Sequence, residues 1–241
     1  VAEIISPPIG LGANSMEPLT GPRTVRGGAT ESIGGFTQSF ASAFGLWRWR
    51  FSFPAMNGSL LRDYRGWITA LHGGANATRW HFFDPDMLTF AEAGVTPSNF
   101  QIATGMPWSN DEPWANSRNW AVSRPDVAVA AAATLGSTTV VLSDDWWGHA
   151  LGRGSFIGFY PYHFGLYEIT KVLDEPGRYR VWPPLRKAIT TSDFATLDAT
   201  LALRLEGEAG APVGRGLAVA EGLTATFVEV LDYDVRDYFA D

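Results

Sequence analysis

The side chains that could carry chemistry in this chain are few: four histidines, a handful of paired acids, the glycine-flanked Arg153 and no cysteine. His72, His81, His149 and His163 are spread along the sequence. They form no His-x-His pair and no HExxH pattern, so their spacing supports no metal site. His81 alternates with Trp80 and Phe82 and reads as a strand residue on the less buried side. A serine nucleophile would need a Gly-x-Ser-x-Gly turn, which is missing, and no thiol can take its place. Two pairs of carboxylates, Asp144-Asp145 and Asp84 with Asp86 around Pro85, raise glycoside hydrolysis, which needs two acids facing each other across an aromatic cleft. Adjacent acids on a strand or turn point to different sides, so Asp144-Asp145 makes a poor acid/base pair, and both pairs read as loop residues that close strand ends. Gly152-Arg153-Gly154 lacks the third glycine and the following helix of a dinucleotide site, and reads as a tight turn into a strand. The expectation is a protein with no catalytic residues, no cofactor and no metal.

The elements that would position these residues are mostly strands. Trp47, Trp49, Phe51 and Phe53 alternate with Arg48, Arg50 and Ser52, a period of two that marks a strand with one buried face. Pro54 ends it, and Asn57 or Ser59 can cap a helix over about 58–72. Leu60, Leu61, Tyr64, Trp67, Ile68 and Leu71 fall on one face of that helix, and Gly73-Gly74 supplies a left-handed stop. A second strand, Thr78 to Phe83, runs to Asp84-Pro85. Period-two patterns return after Pro125, at Asp126 to Ala130, Thr138 to Leu142, Ser155 to Tyr160, Leu166 to Leu173, Arg178 to Trp182 and Leu201 to Leu205. A Gly-rich loop, Gly207 to Gly216, precedes a last strand from Leu223 to Tyr233. The first forty residues, rich in Gly, Pro, Ser and Thr, read as an extended arm with short β pieces that gains order by packing on something, a neighbouring subunit included.

This pattern predicts a mainly β protein: a β-sandwich or barrel with one flanking helix and a second small β domain. The boundaries fall at 1–123 for the first domain and 124–205 for the β module. Residues 206–241 hold the Gly-rich loop and a C-terminal strand; if that strand returns to the first domain, the module is an insertion.

Composition narrows the function. With 46% apolar and 18% charged residues in 241, the chain can bury a substantial core. A formal charge of −7 without a basic cluster argues against specific nucleic-acid binding. No run of eighteen apolar residues is present, which excludes a membrane-spanning helix, and Val1 to Gly12 does not read as a secretory signal. Of the ten tryptophans, Trp47, Trp49, Trp67, Trp80 and Trp182 sit on periodic faces and belong to the core. Trp108, Trp114, Trp120, Trp146 and Trp147 lie in loops and are the candidates for a protein interface, with glycan stacking as the alternative.

Two stretches carry a family resemblance. The segment from Trp47 to Pro54, the helix ending Ile68-Thr69-Ala70-Leu71-His72-Gly73-Gly74-Ala75-Asn76, and Trp80-His81-Phe82-Phe83-Asp84-Pro85 together resemble minor tail proteins of tailed bacteriophages. The run from Gly136 to Leu142 and the segments around Gly154-Ser155-Phe156, Leu166-Tyr167-Glu168-Ile169, Trp182-Pro183-Pro184 and Leu201 to Leu205 resemble the small β module that such proteins carry. The resemblance implies a distal-tail-like structural subunit in the virion tail, assembled in the bacterial cytoplasm. Such subunits form rings, commonly hexameric, that join the tail tube to hub and fibre proteins and let DNA pass through. It carries over no active-site residue. A carbohydrate- or receptor-binding module of a virion is the alternative, and a polysaccharide hydrolase comes last.

Overall fold

The structure, a computed structural model, describes residues 3–20, 26–31, 37–41, 45–82, 84, 86–89, 92, 105–110, 112–113, 117, 119, 126–143, 151–161, 163–173, 177–207, 211 and 219–231; for 20, 26–31, 37–41 and 164 it describes the backbone alone. The chain is mainly β and forms two compact units, Val1–His81 with Thr200–Asp241, and Phe82–Ala199. No helix among the described residues is long and apolar enough to cross a membrane.

The first unit is a six-stranded mixed sheet with one α-helix among its described elements. Its strands are β1 (Ile4–Ile5), β2 (Ser15–Thr20), β5 (Arg48–Ser52), β6 (Ala77–His81), β13 (Thr200–Leu205) and β14 (Thr224–Glu229), in the order β1-β6-β13-β14-β5-β2. The strand expected around Trp47 to Phe53 is present, with Trp47, Trp49, Phe51 and Phe53 all buried. Helix α1 (Gly58–Ala70) lays Leu61, Tyr64 and Trp67 on that apolar face. Phe53 meets Tyr64 at 5.2 Å between ring centroids and Trp80 at 6.3 Å, while Phe51 meets Phe227 at 5.1 Å. These edge-on and tilted contacts add to the burial of large apolar rings. Asn57 stands at the N-cap, but its side chain makes no capping hydrogen bond.

The helix stops where His72, Gly73 and Gly74 take positive φ angles of 45°, 62° and 99°. Gly74 has a second reason to lack a side chain, since a Cβ there would lie 2.3 Å from the Leu205 carbonyl oxygen. The Trp67 indole N–H donates to Thr78 Oγ1 at 3.3 Å, and that hydroxyl donates to the Ile5 carbonyl at 2.8 Å. Helix, sheet and edge strand are thereby tied together.

The N-terminal segment supplies both edges of this sheet. β1 pairs in parallel with β6, and β2 pairs antiparallel with β5, with a bulge after Pro18. A two-residue strand and a proline-bearing, bulged one are both poor templates for further strand addition. Between β2 and β5 stand β3 (Arg26–Glu31) and β4 (Thr37–Ala41), which pair with each other in a separate two-stranded sheet.

The second unit is a closed antiparallel barrel. It is formed by β7 (Asp126–Ala131), β8 (Thr139–Leu142), β9 (Phe156–Tyr160), β10 (His163–Val172), β11 (Arg178–Trp182) and β12 (Phe194–Thr196), in the order β10-β11-β8-β7-β12-β9. Closure leaves no free strand edge. Val129, Val140, Ile157, Ile169 and Val181 are among the alternating residues that fill it. The two ends of the unit meet on its outer wall. Phe82 N–H donates to the Ala199 carbonyl at 2.8 Å, and the Phe82 ring lies 4.9 Å from that of Phe156. Gly158 permits this approach, because a Cβ there would fall 2.8 Å from the Ala199 Cβ.

The division differs from the sequence expectation at both boundaries. The first unit's opening segment ends at His81 rather than at 123. The strand at 200–205, expected in the module, belongs to the first sheet because it pairs with β6 on one side and β14 on the other. The last strand also pairs with β5. The barrel unit is therefore inserted between two neighbouring strands, β6 and β13.

Candidate interaction surfaces

Of the five loop tryptophans proposed for an interface, the structure describes Trp108; Trp114, Trp120, Trp146 and Trp147 lie outside the described residues. Trp108 is 45% exposed. It stands on a small turn in which its backbone N–H donates to the Glu112 carbonyl at 2.9 Å and Glu112 N–H donates to Asn110 Oδ1 at 3.3 Å. The Asn110 amide also donates to the Glu112 carboxylate at 3.3 Å, which closes the turn on itself.

The remaining candidates behave as local structure. Asp84 accepts the Asp86 N–H through Oδ1 at 2.9 Å and the Met87 N–H through its carbonyl at 3.2 Å, which shapes the turn after β6. Gly154, at φ 90°, forms the turn into β9 and donates its N–H to Ile169. His72 and His81 are exposed, the second on the outer side of β6 as expected. His149, Asp144 and Asp145 lie outside the described residues. Among the described residues no group of three His, Asp or Glu side chains could hold a metal ion.

His163 is the one described histidine in the interior. It lies in the barrel wall with 6% exposure, its Nε2 sharing a 2.5 Å hydrogen bond with the Tyr167 hydroxyl. That hydroxyl also accepts the Arg186 backbone N–H at 2.9 Å. Phe159 packs on both rings, 5.3 Å from His163 and 5.5 Å from Tyr167. Burial, with a smaller contribution from Lys187 and an opposing one from Asp193, pushes the imidazole down to about 3, so it is neutral at pH 7. The pair joins β10 to the segment after β11 and acts as a polar lock within an apolar wall.

Two outward surfaces were not singled out by sequence pattern. On the barrel, Tyr160 and Phe194 are directly opposed between β9 and β12, and both are exposed. On the first unit, the sheet face away from α1 carries a charged array. Arg48, Val228 and Arg204 fall in one cross-strand row, Glu17, Arg50 and Thr226 in the next, and Arg79 lies opposite Ala202. Arg48 is ion-paired with Glu206, and Arg50 stands 3.7 Å from Glu17. The signal for this face was present in β5, where arginines alternate with aromatics. Its extent depended on which strands became neighbours.

The chain matches no protein-family model, and no curated protein matches it in sequence.

Proposed function

We propose that this chain is a structural assembly subunit of a bacteriophage tail tip, built into a ring that joins the tail tube to hub or fibre proteins and acting without substrate turnover. The observation that carries the reading is the β3–β4 hairpin, which pairs with no third strand among the described residues. A lone two-stranded hairpin is at best marginally stable in water and needs another surface against it. A neighbouring subunit is the surface this reading supplies. The resemblance of the Trp47 to Pro54 strand, the helix and its Gly-Gly stop to minor tail proteins points the same way. So does the exposed Trp108 on its closed turn, since exposed aromatic anchors are enriched at interfaces.

The test is the solution mass of the chain beside a variant in which residues 26–41 are replaced by a short Gly-Ser linker. A defined oligomer that falls to monomer in the variant, with the thermal transition retained, is the expected result. A variant that assembles as the parent does removes the hairpin from the argument.

The second reading, a carbohydrate- or receptor-binding module, is favoured by the opposed and exposed Tyr160 and Phe194. Adjacent aromatic faces suit stacking against sugar rings. A glycan screen with Tyr160→Ala and Phe194→Ala as controls tests it. Binding that both substitutions abolish would support a recognition role within the same particle.

A further inference from the structure

The outer face of the first unit's sheet is unusual in an acidic chain. Its described charged side chains are Arg48, Arg50, Arg79 and Arg204 against Glu17 and Glu206, with His81 at the margin. All are exposed or half-buried in the whole chain, with Arg50 and Glu17 at 50% and 63% side-chain exposure. Taking that face as +2, the rest of the sequence holds 14 basic against 23 acidic residues, a balance of −9, since the whole has 18 and 25. Between the arginines lie Thr226, Val228 and Ala202. Thr226 and Val228 are half-buried and Ala202 is buried, while Arg50, Arg79 and Arg204 are exposed.

We infer that this arginine face is one half of a head-to-tail contact with a second copy of the same chain, and that it meets an acidic surface of that copy. This rests on the assembly reading above and names the face that makes the contact. Two such faces, each with a net positive charge among its described residues, repel one another, so the face does not pair with its own image. It is matched by the acidic remainder of a neighbour, a different surface from the face itself, as a head-to-tail contact requires. A heterologous contact builds a closed ring when its rotation closes and an open filament when it does not, and the assembly reading takes the first. Arginine suits the task because its planar guanidinium can grip a carboxylate with two parallel hydrogen bonds. The internal partners do not prevent this. Arg50 is only loosely held by Glu17, at 3.7 Å and with both groups in solvent, and such exposed pairs are weak.

The test uses two charge-matched double variants of the full chain. Arg50→Glu with Arg204→Glu reverses two charges on the proposed face. Arg62→Glu with Arg65→Glu reverses two exposed charges on α1, which packs on the opposite side of the sheet. Self-association is followed by sedimentation velocity from low to high salt, with thermal unfolding as the folding check. The sheet-face variant is expected to weaken association by about tenfold or more, the helix variant to leave it near the parent's, and the parent's association to fall as salt rises. Should the reversal disturb folding, Arg204→Ser alone removes one charge and is expected to weaken association in the same direction.

A sheet-face variant that associates like the parent overturns the inference and leaves the assembly reading standing. Equal weakening by both double variants also overturns it, because net charge alone would then explain the effect. A parent that stays monomeric at low salt and high concentration overturns both readings together.

Discussion

Gly74→Ala and Gly66→Ala make the same chemical change within one unit and should shift its stability in opposite directions. Gly74 has φ 99°, and a Cβ on it would lie 2.3 Å from the Leu205 carbonyl oxygen and 3.3 Å from its carbon. A left-handed conformation costs an alanine about 1–2 kcal/mol. The overlap cannot be relieved by a side-chain rotation, because the obstacle is the backbone of β13, a strand paired on both sides. Moving it is an overpacking cost of about 1–3 kcal/mol, so the substitution should destabilise by about 2–5 kcal/mol. Gly66 lies on the exposed side of α1, with nothing within 4 Å of its Cβ position. There alanine should stabilise by about 0.5–1 kcal/mol through the lower entropy of the unfolded chain. Urea unfolding read by tryptophan fluorescence reports both, since Trp47, Trp49, Trp67 and Trp80 are all buried in this unit. A Gly74→Ala protein as stable as its parent, or a Gly66→Ala protein less stable, would refute the described helix stop and its packing on β13.

The His163–Tyr167 pair makes stability depend on pH. The folded imidazole, pushed down from 6.5 to about 3, binds its proton less readily than the unfolded one. The contribution is therefore complete above pH 6.5 and declines as pH falls towards 3, at up to about 1.4 kcal/mol per pH unit. His163→Gln should flatten that slope in a pH series of urea melts, whereas an unchanged slope would remove His163 as its source. Glu168, whose carboxyl is pushed up chiefly by burial, works in the opposite direction. In the first unit, Glu229 is buried and its Oε2 accepts the Trp47 N–H at 3.1 Å. Glu229→Leu should cost about 1–3 kcal/mol in thermal or urea unfolding by stranding that donor, with Glu229→Gln retaining most of the stability. Trp108→Ala, at an exposed turn, should change monomer stability by less than about 1 kcal/mol while weakening self-association. Equal loss of both would assign Trp108 to the core.

Local elements were the legible part of the fold. The alternation of aromatics and arginines from Trp47 to Phe53 specifies both the strand and its buried face, and the spacing of Leu61, Tyr64 and Trp67 specifies the helix face that covers it. Elements defined only by their partners were not legible. β12 has three residues, too few for alternation to show, and β1 has two. β2 carries Pro18, which reads as a loop residue until an edge position makes its missing N–H harmless. The strand at 200–205 was assigned to its sequence neighbours, although its hydrogen bonds go to β6 across the whole inserted barrel. Such non-local pairing leaves no periodic trace. The same limit hid the arginine face, because Arg204 comes beside Arg48 and Arg50 only once β14 lies between them. Tyr160 and Phe194 likewise become a pair only through β12. The exposure of Trp108 was legible because an unpatterned tryptophan among turn residues has no strand or helix face to fill.

The assembly reading is tested most directly by electron microscopy of the purified chain, with particles classified by size and rotational symmetry. The account predicts closed rings of one symmetry, sixfold if the resemblance to distal tail proteins extends to ring order. Single particles of one chain's mass at every concentration and salt condition would contradict it.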